Sequence, residues 1–133
     1  MRGASLVDLV AAARYAGVRI ERTAEGPLGL KARERAARYA RALRQREADV
    51  LALYDWTHAD TGDPKPCALC GKSAILRDPV ERRPCHKVCS DRLLSGEAVP
   101  RQWITAHGGA AAASAAVLDD APSGLIRAQL SDR

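Results

Sequence analysis

The order of apolar and polar positions divides this chain into elements of different period. Leu6, Leu9, Val10 and Ala13 recur at helical spacing, Ser5 with Asp8 three positions later resembles a capping box, and Gly17 stands where such a helix would stop. These features predict a first helix over 5–16. After Gly17 the period shortens. Val18 and Ile20 alternate with Arg19 and Glu21, Glu25-Gly26-Pro27 supplies turn chemistry, and Leu28-Gly29-Leu30 alternates again, which predicts a β-hairpin. From Lys31 onward Ala36, Tyr39, Ala40 and Leu43 form one helical stripe, with Arg38 and Arg41 on the opposite side. An unbroken continuation would put Glu47 in the middle of that stripe, whereas a break near 45–47 lets Val50, Leu53 and Tyr54 begin a new one. Two helices are therefore expected rather than one, although neither Gly nor Pro marks the break.

Beyond Trp56 the pattern dissolves. The stretch from His58 to Pro66 collects Asp60, Gly62, Asp63, Pro64 and Pro66, residues that interrupt regular structure, and 58–66 reads as a linker. A first module is thus expected over 1–57 and a second, small ββα module over 67–104. In the remainder, 105–133, positions 108–116 are all Ala, Gly or Ser and Pro122-Ser123-Gly124 follows, a composition that predicts a weak helix or a flexible tail. The expected fold class is α+β: a helix, hairpin and two helices, then a metal-centred ββα unit, then the tail.

Composition changes this picture in one respect. Nearly half of the 133 residues are apolar, but many of these are Ala, there is no Phe, and only Tyr15, Tyr39, Tyr54, Trp56 and Trp103 supply aromatic bulk. A module of roughly sixty residues buries only about 60% of its unfolded surface, so each half should need help from a metal, a partner or self-association.

The second module carries a feature suited to that need. All four cysteines fall between positions 67 and 89. Cys67-Ala68-Leu69-Cys70-Gly71-Lys72 has the form of a zinc knuckle, in which two thiolates two residues apart reach one ion and Gly relieves crowding as the chain turns back. A second ligand pair is offered by Cys85-His86-Lys87-Val88-Cys89. His86 with Cys89 repeats the two-residue gap on the first turn of a helix, whereas Cys85 with Cys89, one turn apart, satisfies the same geometry. Spacing favours Cys67, Cys70, His86 and Cys89, with Cys85 a spare thiol beside them. Buried free cysteines or disulfides are the alternative, which two clustered pairs in a reducing compartment disfavour. One Zn²⁺ with four protein ligands has no open position, so the ion is expected to be structural.

Other chemistry is thin. His58 beside Asp60 and Asp63 reads as solvated surface, and His107 before Gly108-Gly109 as a loop residue. There is no phosphate-binding glycine loop, nucleophile elbow or carboxylate pair on a firm element, and Cys85 as a nucleophile lacks a recognisable base. A non-enzymatic role is expected. No apolar run reaches the eighteen residues of a membrane span, and Asp8 interrupts the N-terminal apolar stretch in a way a secretory signal avoids, so a cytoplasmic protein with no membrane partner is expected. The net charge is +5, and residues 1–56 hold eleven Lys/Arg against seven Asp/Glu. That excess suits a solvated Arg-rich surface, an acidic partner or nucleic acid.

The pattern Leu6-x-x-Leu9, Gly17-Val18-x-Ile20, a hairpin, Ala42-Leu43-Arg44 and Ala48-Asp49-Val50-Leu51-Ala52-Leu53 resembles the TubC-type N-terminal docking domain of natural-product synthetase subunits, over residues 5–56. The resemblance implies a small, often dimeric domain whose hairpin edge receives a short acidic tail. Carried onto this chain, Val18, Arg19, Ile20, Leu28 and Leu30 would form the docking edge, with Arg19 and Arg22 facing the acidic peptide and a homodimer formed through this module. No synthetase domain follows residue 56. Residues 65–97 resemble a treble-clef or zinc-ribbon unit, which implies binding to protein or to nucleic acid. The expected function is therefore a zinc-binding adaptor for protein–protein recognition. The alternative is a nucleic-acid-binding accessory protein in which Arg33, Arg38, Arg41 and Arg44, with Lys72, Arg82, Arg83 and Lys87 on the metal unit, meet phosphates.

Overall fold

The computed structural model describes residues 5–23 and 27–107. Helix α1 spans Leu6–Ala16, and its ends are those the sequence signals. Ser5 accepts the Asp8 N–H at 3.1 Å, and Gly17 closes the helix at φ 105°, a left-handed conformation that costs a residue with a Cβ. The helix is buried almost all round because it lies at the centre: α2 (Ala37–Gln45) packs on one part of it and α4 (Lys87–Ser95) on another. Leu6, Val7, Leu9 and Val10 are each at most 1% exposed, and each such aliphatic side chain contributes about 1.5–3 kcal/mol of burial.

Strands β1 (Arg19–Glu21) and β2 (Gly29–Lys31) form the expected antiparallel hairpin, with Arg19 opposite Lys31 and Ile20 opposite Leu30. Alternation turns Ile20 and Leu30 inward and leaves Arg19, Glu21 and Lys31 outside. A 3-10 turn, Glu34–Ala36, leads into α2. The predicted break falls at Arg46, between α2 and α3 (Glu47–Ala52). It serves the hairpin as well as the stripe, since Glu47 accepts the Leu28 N–H at 2.8 Å and Arg44 donates to the Leu28 carbonyl at 2.7 Å.

The segment that composition marks as a linker is not irregular throughout. Thr61–Pro66 is strand β3, paired antiparallel with β4 (Ser73–Leu76), so the knuckle sits at the tip of this second hairpin. The proline signal is overridden because β3 lies at an edge, where a missing N–H goes unnoticed, and the register shifts between Thr61 and Lys65. Gly62 lets the Arg77 guanidinium close over the strand: a Cβ there would lie 2.7 Å from Arg77 Nη2, which donates to the Asp63 carbonyl at 2.5 Å. The ββα order expected of the metal unit is thus present, but its first strand comes from before Cys67. Helix α5 (Arg101–Ala106) ends the described chain and buries Trp103. The predicted tail from residue 108 lies outside the described residues. Buried side chains from Leu6 to Trp103 form one continuous cluster, so the two halves meet across α1. Among the described residues no helix is long and apolar enough to cross a membrane.

Candidate metal centre

Four side chains converge at the tip of the second hairpin and the start of α4. The ligand atoms of Cys67, Cys70, His86 and Cys89 all lie within 4.8 Å of one another. The knuckle owes its shape to backbone bonds: Cys67 N–H donates to the Lys72 carbonyl at 2.8 Å, Gly71 N–H to the Cys67 carbonyl at 2.9 Å, and Gly71 takes φ 80°, where a Cβ would strain the turn. His86 precedes α4 in extended conformation and its carbonyl accepts the Cys89 and Ser90 N–H groups, which places Cys89 in the first helical turn.

The histidine is oriented for coordination. Its Nε2 lies 2.8 Å from the Ser73 carbonyl, an acceptor only, so Nε2 carries the proton and the Nδ1 lone pair faces the thiols. Nδ1 is 3.3 Å from the Cys70 sulfur and 3.6 Å from that of Cys89. Zinc–sulfur bonds of 2.3 Å in a tetrahedron separate the sulfurs by roughly 3.7 Å, so the observed spacings lie within about 1 Å of a closed zinc site. Three thiols and one imidazole form a soft donor set with charge and number suited to one divalent ion.

The electrostatics of the cluster point the same way. The Cys67 thiolate is pulled down to about 3, chiefly by the hydrogen bond from the Cys85 thiol and then by backbone N–H groups; those of Leu69 and His86 lie 3.3 and 3.5 Å from its sulfur. The Cys89 thiol is pushed up to about 12 by burial and by the neighbouring Cys67 charge. The chain alone therefore favours a thiolate at Cys67 and resists one at Cys89. A bound cation would reverse that penalty.

Cys85 stands outside the four. It is fully buried, its N–H donates to the Leu76 carbonyl at 3.0 Å, and its thiol is raised well above the ordinary range, first by its hydrogen bond to Cys67 and then by burial. Its thiol donates to the His86 carbonyl at 3.5 Å. Of the docking-edge residues expected from the resemblance, Val18, Ile20, Leu28 and Leu30 are core side chains no more than 9% exposed, and Arg19 alone faces outward. Arg22 lies over the Tyr54 ring, 5.1 Å from its centroid. Among the basic residues considered for phosphate contact, Arg44 is held by Leu28 and Glu47, Arg83 by Ser5 and Asp8, and Lys87 by Asp91 at 2.7 Å. Arg82 pairs with Asp60 at 2.8 Å, Arg38 lies 5.9 Å from the Tyr39 ring, and Arg41 is half-buried. Lys72 and Arg33 are exposed. His58 is exposed, as expected, whereas His107 stacks on Trp103 with centroids 4.2 Å apart and lies 3.6 Å from the Asp8 carboxylate.

Sequence reasoning passes over Asp78. It is the only fully buried carboxylate among the described residues, and it accepts the N–H groups of Val80, Glu81 and Arg83 at 2.9, 2.6 and 2.9 Å. It thereby shapes the loop 78–84 that delivers Cys85 and His86. The Asp78-Pro79 dipeptide is a turn signal that could have marked it. Compared with protein-family models, curated proteins and solved structures, this chain matches none of them.

Proposed function

We propose that this chain is a non-enzymatic interaction protein, in which Cys67, Cys70, His86 and Cys89 hold one structural Zn²⁺ and the basic hairpin of the helical half binds an acidic peptide of a partner protein. The observation that carries the metal reading is the closed donor set: four protein ligands within 4.8 Å of one another leave no coordination position for water or substrate. When bound, the ion supplies folding energy to a half of the chain that has little core of its own.

The partner reading rests on the outer face of the first hairpin. Arg19 and Lys31 are directly opposite each other and both exposed, with the acid Glu21 beside them on this face, and Arg14 is close enough for its own guanidinium to feel the Arg19 charge. Like charges placed across a strand pair are unfavourable in the free protein, and an anionic partner relieves them. The resemblance to docking domains supports a peptide as that partner. Nucleic acid is less well supported, because Arg44 and Arg83 are held by internal partners.

The test is titration of a fluorescent Asp/Glu-rich peptide against the zinc-loaded full chain. Binding is expected, and an Arg19→Glu, Lys31→Glu variant should weaken it by about tenfold, as reversing charges at a contact costs on the order of 1–2 kcal/mol. Absence of peptide binding, with tight association to duplex DNA that falls steeply with salt, would replace this reading by the nucleic-acid one.

A further inference from the structure

The loop 78–84 is fixed from both sides. At its metal end the knuckle residue Ala68 donates its N–H to the Pro84 carbonyl at 2.9 Å, Cys85 N–H bonds to Leu76, and His86 follows as a candidate ligand. Through the side chains of Glu81 and Arg83 the loop also reaches the helical half, 35 to 78 residues away in sequence. Glu81 Oε1 accepts the Leu6 N–H at 2.7 Å, an amide of the first turn of α1 that has no partner within the helix. Glu81 Oε2 lies 3.2 Å from Arg46 at the α2–α3 break, and Arg83 donates to the Ser5 hydroxyl and, at 3.0 Å, to Asp8. Asp8 in turn accepts the Trp103 indole N–H at 2.9 Å. The far end of α1 reaches the second half as well: Arg14, which also donates to the Val18 carbonyl, donates to the Glu97 carbonyl just beyond α4 at 3.3 Å, while α4 packs against β1.

We propose that the loop 78–84 is a strap through which occupancy of the metal centre sets the order of α1 and the basic hairpin, so that the helical half is competent to dock only when the metal is bound. The docking consequence rests on the function proposed above; the strap itself does not. Asp78 keeps the strap in one shape by taking three of its N–H groups, and the metal would fix the end at His86. With the ligands released, the loop keeps its bonds to Asp78 and the Arg77–Pro84 bridge but loses the tie through His86, so the Glu81 and Arg83 contacts at the start of α1 rest on a less constrained loop. The first turn of α1 is the sensitive point, because its cap is supplied partly by Ser5 and partly by the other half of the molecule.

The experiment is amide hydrogen exchange of the full chain with stoichiometric Zn²⁺ and after chelation, on wild type and on a Glu81→Gln, Arg83→Gln variant. In wild type, chelation should speed exchange at residues 6–9 by about tenfold or more, the factor expected from losing one charge-assisted hydrogen bond, with a smaller rise at Ile20. The variant should exchange faster there even with zinc and respond little to chelation. The strap is refuted if residues 6–9 of the wild type are unchanged while 67–89 lose protection, or if the variant responds to chelation as fully as wild type. Failure of an acidic peptide to bind zinc-loaded wild type would overturn the docking function and leave these exchange results standing.

Discussion

Helix α1 buries Leu6, Val7, Leu9 and Val10 almost completely, whereas every residue of β3 is exposed and the second hairpin buries only Cys67, Leu69 and Ala74 around its tip. The helical half is a hydrophobic structure in which side-chain volume decides the packing. The metal half has few large side chains to bury, and its buried groups include three of the four cysteines and a carboxylate with three N–H partners. The contrast shows two ways a chain without Phe brings its elements together: one by apolar burial, the other around sulfur and nitrogen donors close enough to hold one metal ion and a carboxylate that gathers backbone N–H groups.

The largest effect should come from removing a ligand. Cys70→Ser is expected to abolish metal binding and to unfold the region 61–95, where an apparent binding energy of about 10–16 kcal/mol is at stake, while the core of α1, α2 and α3 persists. Two-dimensional NMR with and without chelator distinguishes this from collapse of the whole chain, which would erase the contrast. Next comes Leu43, fully buried on the inner side of α2: Leu43→Ala should cost about 2–5 kcal/mol in denaturant unfolding and leave metal stoichiometry unchanged. Asp78→Asn should cost about 1.5–3 kcal/mol with zinc in excess, because the amide nitrogen replacing one oxygen faces a backbone N–H that now has no acceptor. The smallest effect is at Glu47, whose carboxyl is held below the usual range first by the Leu28 N–H and then by Arg44. Because the folded value is lowered, its contribution is complete above the ordinary carboxylate value and is lost as pH falls through the lowered one. Glu47→Gln should therefore flatten the acid side of the stability profile of the helical half, as followed by circular dichroism.

Much of the helical half is legible in the chain because its signals are local. The Ser5 cap, Gly17 stop, β1–β2 alternation and the break before Glu47 each depend on neighbours a few residues away, and each is found. The donor set is legible for the same reason, since the Cys67/Cys70 and His86/Cys89 spacings fit one ion's reach. What escapes is tertiary. Strand β3 is hidden by Pro64 and Pro66, which only an edge position tolerates. Arg83 reads as a phosphate-seeking cation, yet its partners Ser5 and Asp8 lie more than seventy residues away. Val18, Ile20, Leu28 and Leu30 read as a docking edge, but the alternation that makes them a strand face turns that face into the core.

The central claim, a single metal ion held by Cys67, Cys70, His86 and Cys89, is tested most directly by native mass spectrometry of protein purified without added metal. Wild type and Cys85→Ser are predicted to carry one zinc per chain, and Cys67→Ser and His86→Ala to carry none. Zinc-free wild type, or zinc lost from Cys85→Ser but retained in His86→Ala, would contradict the account.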